Sequence, residues 1–267
     1  MKAREVAYGI GGTEGRFARL DAALEQLRER SSKVPPALVR EFAGRLEISW
    51  IYHDSALEGV VLTYSEIKAA IDKNIISDIS LIPSYQDVKQ FKEAIDWTNE
   101  YAANRKRPIN TEVVRKIYSI LTPEEAPALA FRKENPLHRL YYHEISMPDR
   151  ILQRMRKLGD WLEEDGVRRL HPVERAARAH FQLMSIFPWT KNSGKVARIL
   201  ANMILARDGY PPAIIHSVDR QRYYEVLRGE NMGVVPLYLE AALTSVETAL
   251  KFYDEATATV LRRRAAS

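Results

Sequence analysis

Residues 186–198 read IFPWTKNSGKVAR. An apolar helical pattern runs into Pro188 and Trp189, a polar turn follows at Ser193-Gly194, and a second apolar pattern begins that carries Lys195 and Arg198. A polar turn opening a helix is an anion-binding layout, because the first N–H groups of a helix lack partners and its dipole favours negative charge. Such loops usually serve phosphate chemistry, yet this stretch holds no His, no Cys and no acid.

Helical patterns extend outward on both sides. Upstream, Pro172–Phe187 and Arg150–Glu164 have helical spacing, and downstream Ser193–Arg207, Arg220–Arg228 and Pro236–Leu261 continue it. Towards the N-terminus, Phe17–Arg30 places Leu20, Leu24 and Leu27 at helical spacing. Pro35-Pro36 opens a helix through Phe42, Leu46 and Trp50 that stops near Gly59. Thr63 to Glu66 forms a capping box for a short helix, Pro83-Ser84 starts another, and Asn110-Thr111 caps the next. Residues 123–147 break the pattern, with Pro, Asn and a short aromatic run, and predict a small β-hairpin flap. The expected fold class is all-α with that one hairpin.

The 267 residues are 46% hydrophobic, ample for a core, and show no repeat, low-complexity linker or composition break. Absence of cysteine excludes disulfides and thiolate metal sites. No run approaches the roughly 20 apolar residues of a membrane span, and the N-terminal stretch has no signal-like apolar core, so a cytoplasmic protein is expected. Forty basic against 35 acidic residues, net +5, describe a mixed, solvated surface. The dense basic cluster Arg262-Arg263-Arg264 reads as a charged helix end, and without aromatic–basic interleaving nucleic acid ranks last among partners.

The order of elements around the loop (HPVERAARAHFQLMSIFPW, the turn, VARILANMILARDGYPPAII, then DRQRYYEVL) resembles the Fic family, the Fido fold. The resemblance implies one Fic-like domain over 1–267, with N-terminal helices in 1–82, a core in 83–230 and a C-terminal helix in 231–267. Family members carry His-Pro-Phe-x-(Asp/Glu)-Gly-Asn-Gly-Arg-x-x-Arg, in which the His is a general base, the acid holds Mg²⁺, and the turn and arginines cradle ATP phosphates for AMP transfer to a protein hydroxyl. Aligned on Pro188, Gly194 and Arg198, Phe187 falls on the base, Trp189 on the Phe, Lys191 on the acid, Asn192 on the first Gly, Ser193 on the Asn and Lys195 on the first Arg. The resemblance makes Lys191, Asn192, Ser193, Gly194, Lys195 and Arg198 the phosphate-binding candidates. It supplies no catalytic residue, because a phenyl ring has no proton site. No metal ligand is expected, because Lys191 replaces an anion by a cation.

A second element, Asp54 to Gly59, resembles the family's inhibitory helix of form (Ser/Thr)-x-x-x-Glu-(Gly/Asn), placed near residues 36–59. It implies an ion pair between Glu58 and Arg198, with Gly59 following and Asp54 at the Ser/Thr position. The flap, with Arg132, Leu140, Tyr141 and Tyr142, would align a target segment by strand addition. His180 lies two helical turns before Phe187, too far to replace the base, and His138 and His143 fall on opposite faces of a strand, which argues against a shared metal.

The expected function is that of a degenerate Fic protein, a pseudoenzyme of the adenylyltransferase class acting as a regulatory or protein-interaction module. The alternative is an active transferase moving a phosphate-containing group by base-independent chemistry. No cofactor is expected, ATP with Mg²⁺ being the family ligand. The expected partners are a protein and a phosphate-containing small molecule, not a membrane, and homo-oligomerisation stays open.

Overall fold

The computed structural model describes residues 10–72, 84–124, 130–136 and 143–266, and every regular element among them is helical. Helices α1 (Ile10–Lys33), α2 (Pro36–Leu57), α3 (Tyr64–Ile71), α4 (Tyr85–Ala103) and α5 (Thr111–Leu121) are followed by α6 (Ile151–Glu163) and one helical turn, Asp165–Arg168. Then come α7 (Pro172–Ile186), α8 (Ser193–Arg207), α9 (Arg220–Arg228) and α10 (Val234–Ala266).

Local chemistry sets several of these ends. Pro36 takes the first position of α2, where a missing N–H costs nothing. At the other end Gly59 adopts a φ of 91°, open to glycine and strained for other residues, so that its N–H reaches the carbonyl of Ala56 and the next N–H, of Val60, that of Ser55. This closure fixes Glu58 as the cap of α2. At α3 the expected capping box is present: Glu66 N–H donates to the Thr63 hydroxyl at 3.2 Å and Thr63 N–H to the Glu66 carboxylate at 2.6 Å. Asn110 caps α5 by accepting from the N–H groups of Glu112 and Val113.

Helix α8 lies at the centre, against α4, α5 and α7, while α10 crosses α7 and α1. It is buried nearly all round, from Val196 to Leu205. Each fully buried Ile or Leu there contributes about 1.5–3 kcal/mol, enough to offset two polar residues on one face, Arg198 and Asn202. Asn202 is satisfied by the N–H of Ala213 at 2.9 Å.

Some expectations shift. Helix α1 begins at Ile10 rather than Phe17, and α10 runs from Val234 to Ala266, beyond both expected ends, Pro236 being tolerated in a first turn. Helix α7 stops at Ile186, not Phe187, because Phe187 turns into the left-handed region (φ 47°, ψ 65°) ahead of Pro188. No strand occurs among the described residues of the flap, 130–136 and 143–147, which hold extended turns instead. Leu140, Tyr141, Tyr142 and His138 lie outside the described residues.

Candidate functional site

The turn between α7 and α8 is built from its backbone outward. Two left-handed residues, Phe187 and Asn192 (φ 59°), frame it. Arg132 clamps the first bend. Its Nε donates to the carbonyl of Phe187 at 2.7 Å, its Nη2 to those of Ser146 and Ile186, and its own N–H to that of Pro188 at 3.0 Å. A cation on the last carbonyls of α7 satisfies orphan acceptors and opposes the negative end of the helix dipole. This corrects the expectation for Arg132: its guanidinium is buried as a helix clamp and is not offered to a docking target. Trp189 fills the anchor position, stacked on Tyr118 of α5 with ring centroids 3.9 Å apart.

Three of the anion candidates are likewise diverted. Ser193 is fully buried, and its hydroxyl accepts from the N–H of Trp189 at 2.9 Å and donates to that residue's carbonyl at 2.7 Å, closing the turn on itself. The Asn192 amide donates to the carbonyl of Leu121 and to the hydroxyl of Thr122, both at 3.2 Å, tying the turn to the end of α5. Lys195 lies with Nζ 5.6 Å from the centre of the Phe91 ring on α4. Lys191 is exposed.

What the fold does bring together is Arg198, Glu58, Gly194 and two residues with a larger part than expected, Asp54 and Tyr223. Arg198 Nε and Nη2 donate to the two oxygens of Asp54, each at 2.7 Å, in a bidentate fork. Nη2 also reaches Glu58 Oε1 at 2.9 Å, which is the expected ion pair. Nη1 donates to the Tyr223 hydroxyl at 3.2 Å, and that hydroxyl shares a hydrogen bond of 2.9 Å with His180 Nε2. The side chains of Asp54 and Arg198 are 1% and 4% exposed, that of Glu58 15%, so Asp54 is the deeper partner. Asp54 thus joins Glu58 as a second carboxylate on Arg198, beyond the expected single pair. One helical turn separates the two acids on α2, which sets both on the face turned to α8.

Gly194 stands at the closest approach. A Cβ there would collide with Glu58 Oε1 and crowd Arg198 Nη1 at 3.0 Å. The Glu58 carboxylate thus lies against the first turn of α8, where the helix dipole favours an anion. Burial alone would weaken Arg198 as a base, but Asp54, Tyr223 and Glu58 outweigh it, and its pKa is raised well above the usual value. Burial, then the charges of Arg198 and His143, pushes His180 well below its ordinary pKa, so it is a neutral core residue. His143, also buried, donates from Nε2 to the carbonyl of Met184 at 3.0 Å. The space left beside Arg198, bounded by Trp50, Leu57 and Ile214, is about 10 Å³. Among the described residues no group of three or more His, Cys, Asp or Glu could hold a metal ion, and no helix is long and apolar enough to cross a membrane.

Asp54 was legible as a hydrogen-bond acceptor one turn before Glu58, but its bidentate geometry was not. Tyr223 carried no signal beyond its place in DRQRYYEVL.

Residues 108–205, which contain the turn and most of α8, match the model of the Fic/DOC family. The chain is 29% identical over 203 residues to a protein adenylyltransferase Fic of Nematostella vectensis, covering 76% of this chain and 48% of that protein. It is 27% identical over 252 residues to one of Drosophila willistoni, covering 91% and 48%. The chain spans about half the length of these curated relatives, or less: 40% for fic-1 of Caenorhabditis elegans. Among solved structures, a Fic domain containing signaling protein from Bacteroides thetaiotaomicron superposes with a TM-score of 0.75 at 19% identity, over 90% of this chain and 97% of that one. Fic-1 from C. elegans gives 0.76 at 20% identity, over 91% and 72%. These two likenesses establish the fold.

Proposed function

The chain belongs to the Fic/DOC family, and from that premise we propose that it is a member with disabled AMP transfer, whose fold serves as a regulatory or protein-interaction module. The relatives named adenylyltransferases set the expectation of transfer. The observation against it here is the Asp54–Arg198 fork. An inhibitory glutamate alone is a removable lock, whereas a second, deeper carboxylate holds the arginine after Glu58 is gone. A donor phosphate would have to displace both acids, and charges of like sign repel it from the same small space.

The residues also fit Mg-ATP poorly. The position where the family carries its metal-binding acid holds the exposed Lys191, and the carboxylates nearest the turn are already spent on Arg198. Phe187 offers no proton acceptor, and its carbonyl is held by Arg132. General base catalysis typically contributes about 10²–10⁴-fold, so its loss compounds that of the phosphate cradle.

The test is a labelled-ATP adenylylation assay with Mg²⁺ and a broad set of protein targets, on wild type, Glu58→Gly and Glu58→Gly/Phe187→His. No labelling is expected from any of the three. Labelling by Glu58→Gly that disappears with Arg198→Ala would overturn the reading, as would metal-free transfer from another phosphate donor.

A further inference from the structure

At the far end of α8, about 20 Å from the turn along the helix axis, lies a cavity of about 330 Å³. Its walls come from the loop after α4, the helical turn at 165–168, the start of α7 and the end of α8. They carry Arg105, Lys106, Arg107, Arg168, Arg175 and Arg207 against a single carboxylate, Asp208. We propose that this cavity is a second anion site, taking a small molecule that bears two or three linked phosphates. The proposal concerns a place outside the family motif and does not rest on the loss of AMP transfer.

Three features support it. The first is unfilled donor capacity. Arg207 Nη1 donates to the carbonyl of Arg107 at 2.6 Å, but its buried Nε and Nη2 have no partner. Arg175 spends Nη2 on Asp208 at 2.6 Å and Nη1 on the carbonyl of Arg168 at 3.4 Å, and its buried Nε has no partner. These donors are buried behind the wall of the recess, and a guanidinium turned towards it matches phosphate oxygens two at a time. The second is excess charge. Asp208 is engaged by Arg175 and Asp165 lies 3.9 Å from Arg168, so cations still outnumber carboxylates, and a concave wall rich in one sign focuses its field on the space in front of it. The Arg207 pKa is lowered, chiefly by burial. The third is size and rigidity. The cavity is at the small end of ligand sites, roughly 300–1,000 Å³. That suits a phosphate chain, where a polymer would need an open groove. The Tyr101 ring sits 5.4 Å from the Arg107 guanidinium and 5.9 Å from that of Arg207, holding both at the mouth.

Inorganic tripolyphosphate is the probe, titrated calorimetrically at low and at physiological salt, with orthophosphate and ATP as further arms. Binding to wild type is expected, weakening with salt, and about tenfold weaker for orthophosphate. The variant Arg105→Ser/Arg107→Ser changes exposed side chains only and should keep its melting temperature while losing about tenfold or more in affinity. Arg207→Gln should lose at least as much. Lys191→Gln/Lys195→Gln, at the other end of α8, should bind as wild type does. Comparable affinity for ATP and tripolyphosphate identifies the phosphate chain alone as the ligand, and tighter ATP binding adds contacts to a nucleoside. The proposal is overturned by unchanged affinity in the Arg105/Arg107 variant, by loss in the Lys191/Lys195 variant, or by no binding to wild type at low salt. A single-stranded RNA that binds more tightly than tripolyphosphate, and is lost with the same arginines, would also overturn it in favour of a nucleic-acid surface.

Discussion

At its N-terminal end α8 carries Arg198 between two carboxylates of α2, with Tyr223 as a third acceptor. At its C-terminal end Arg207 shares a cavity with four other arginines, a lysine and the single carboxylate of Asp208. Both ends bring arginine out of bulk water. The first supplies its own anions, and Arg198 is satisfied by them. The second leaves buried N–H groups of Arg207 and Arg175 without partners. On the two proposals above, the end that carries the family motif is the one closed to an outside anion, and the end without a motif is the one open to it. Motif resemblance and ligand capacity have separated along a single helix.

Removing Asp54 should have the largest effect. Asp54→Ala leaves a buried guanidinium with its fork unmatched, and a loss of about 3–5 kcal/mol in denaturant unfolding is expected. Glu58→Ala, at the wetter site, should cost about 1–2 kcal/mol. Equal losses would break the ranking of the two acids.

Phe187→His comes next. It sets an imidazole where a buried ring packs near His143, and should lower stability by about 1–3 kcal/mol. It should restore no AMP transfer, since Lys191 and the Asp54–Arg198 pair remain. Transfer by this single variant at a rate typical of active relatives would show the motif end to be open after all.

Acid should loosen the motif end. His53, next to Asp54 on α2, is stacked on His216 and accepts from the N–H of Ser217 at 3.2 Å. Burial, then the charge of His216, lowers its pKa to about 4 from 6.5. The folded state therefore binds that proton less readily than the unfolded chain. Its contribution is present above pH 6.5 and is lost as pH falls towards 4. His53 is half-buried, and the solvent that reaches it limits the loss to about 1–2 kcal/mol. His180, beside Tyr223 and Arg198, shifts in the same direction and adds to it. In urea melts across this range, His53→Gln should flatten the profile. An unaltered slope would remove His53 as the cause.

The smallest effect sharpens the comparison most. Glu58→Gly uncovers the first turn of α8 while Asp54 still holds Arg198. Phosphate or pyrophosphate should raise the melting temperature of Glu58→Gly more than that of wild type, by linkage to the folded state, with a differential of about 1 kcal/mol or less. Made in an Arg207→Gln background with salt matched, the measurement excludes the cavity. Equal shifts would mean that Glu58 does not compete with anions at α8.

Much of the scaffold could be read from the chain. The capping box at Thr63–Glu66, the Asn110 cap and the stop at Gly59 are written in residues three or four apart, and each forms as expected. The pairing of Glu58 with Arg198 came from resemblance and is present. The roles of Ser193, Asn192 and Arg132 were not legible. A buried hydroxyl closing its own turn, an amide tied to α5 and a guanidinium clamping α7 look in sequence like three polar residues suited to ligands. The cationic cavity was not anticipated, because Arg105–Arg107, Arg168, Arg175 and Arg207 read singly as solvated charges.

The sequence by itself determined the helices, the caps at Thr63 and Asn110, the stop at Gly59 and the absence of a proton acceptor at position 187, because periodicity, capping and side-chain chemistry act within a few residues. Only the tertiary structure decided which charges meet. Asp54 and Arg198 are 144 residues apart in the chain and 2.7 Å apart in space. Whether a polar side chain faces water, a ligand or another part of the same chain depends on how helices pack. That is set by the summed burial of many apolar side chains, and no single residue's identity records it.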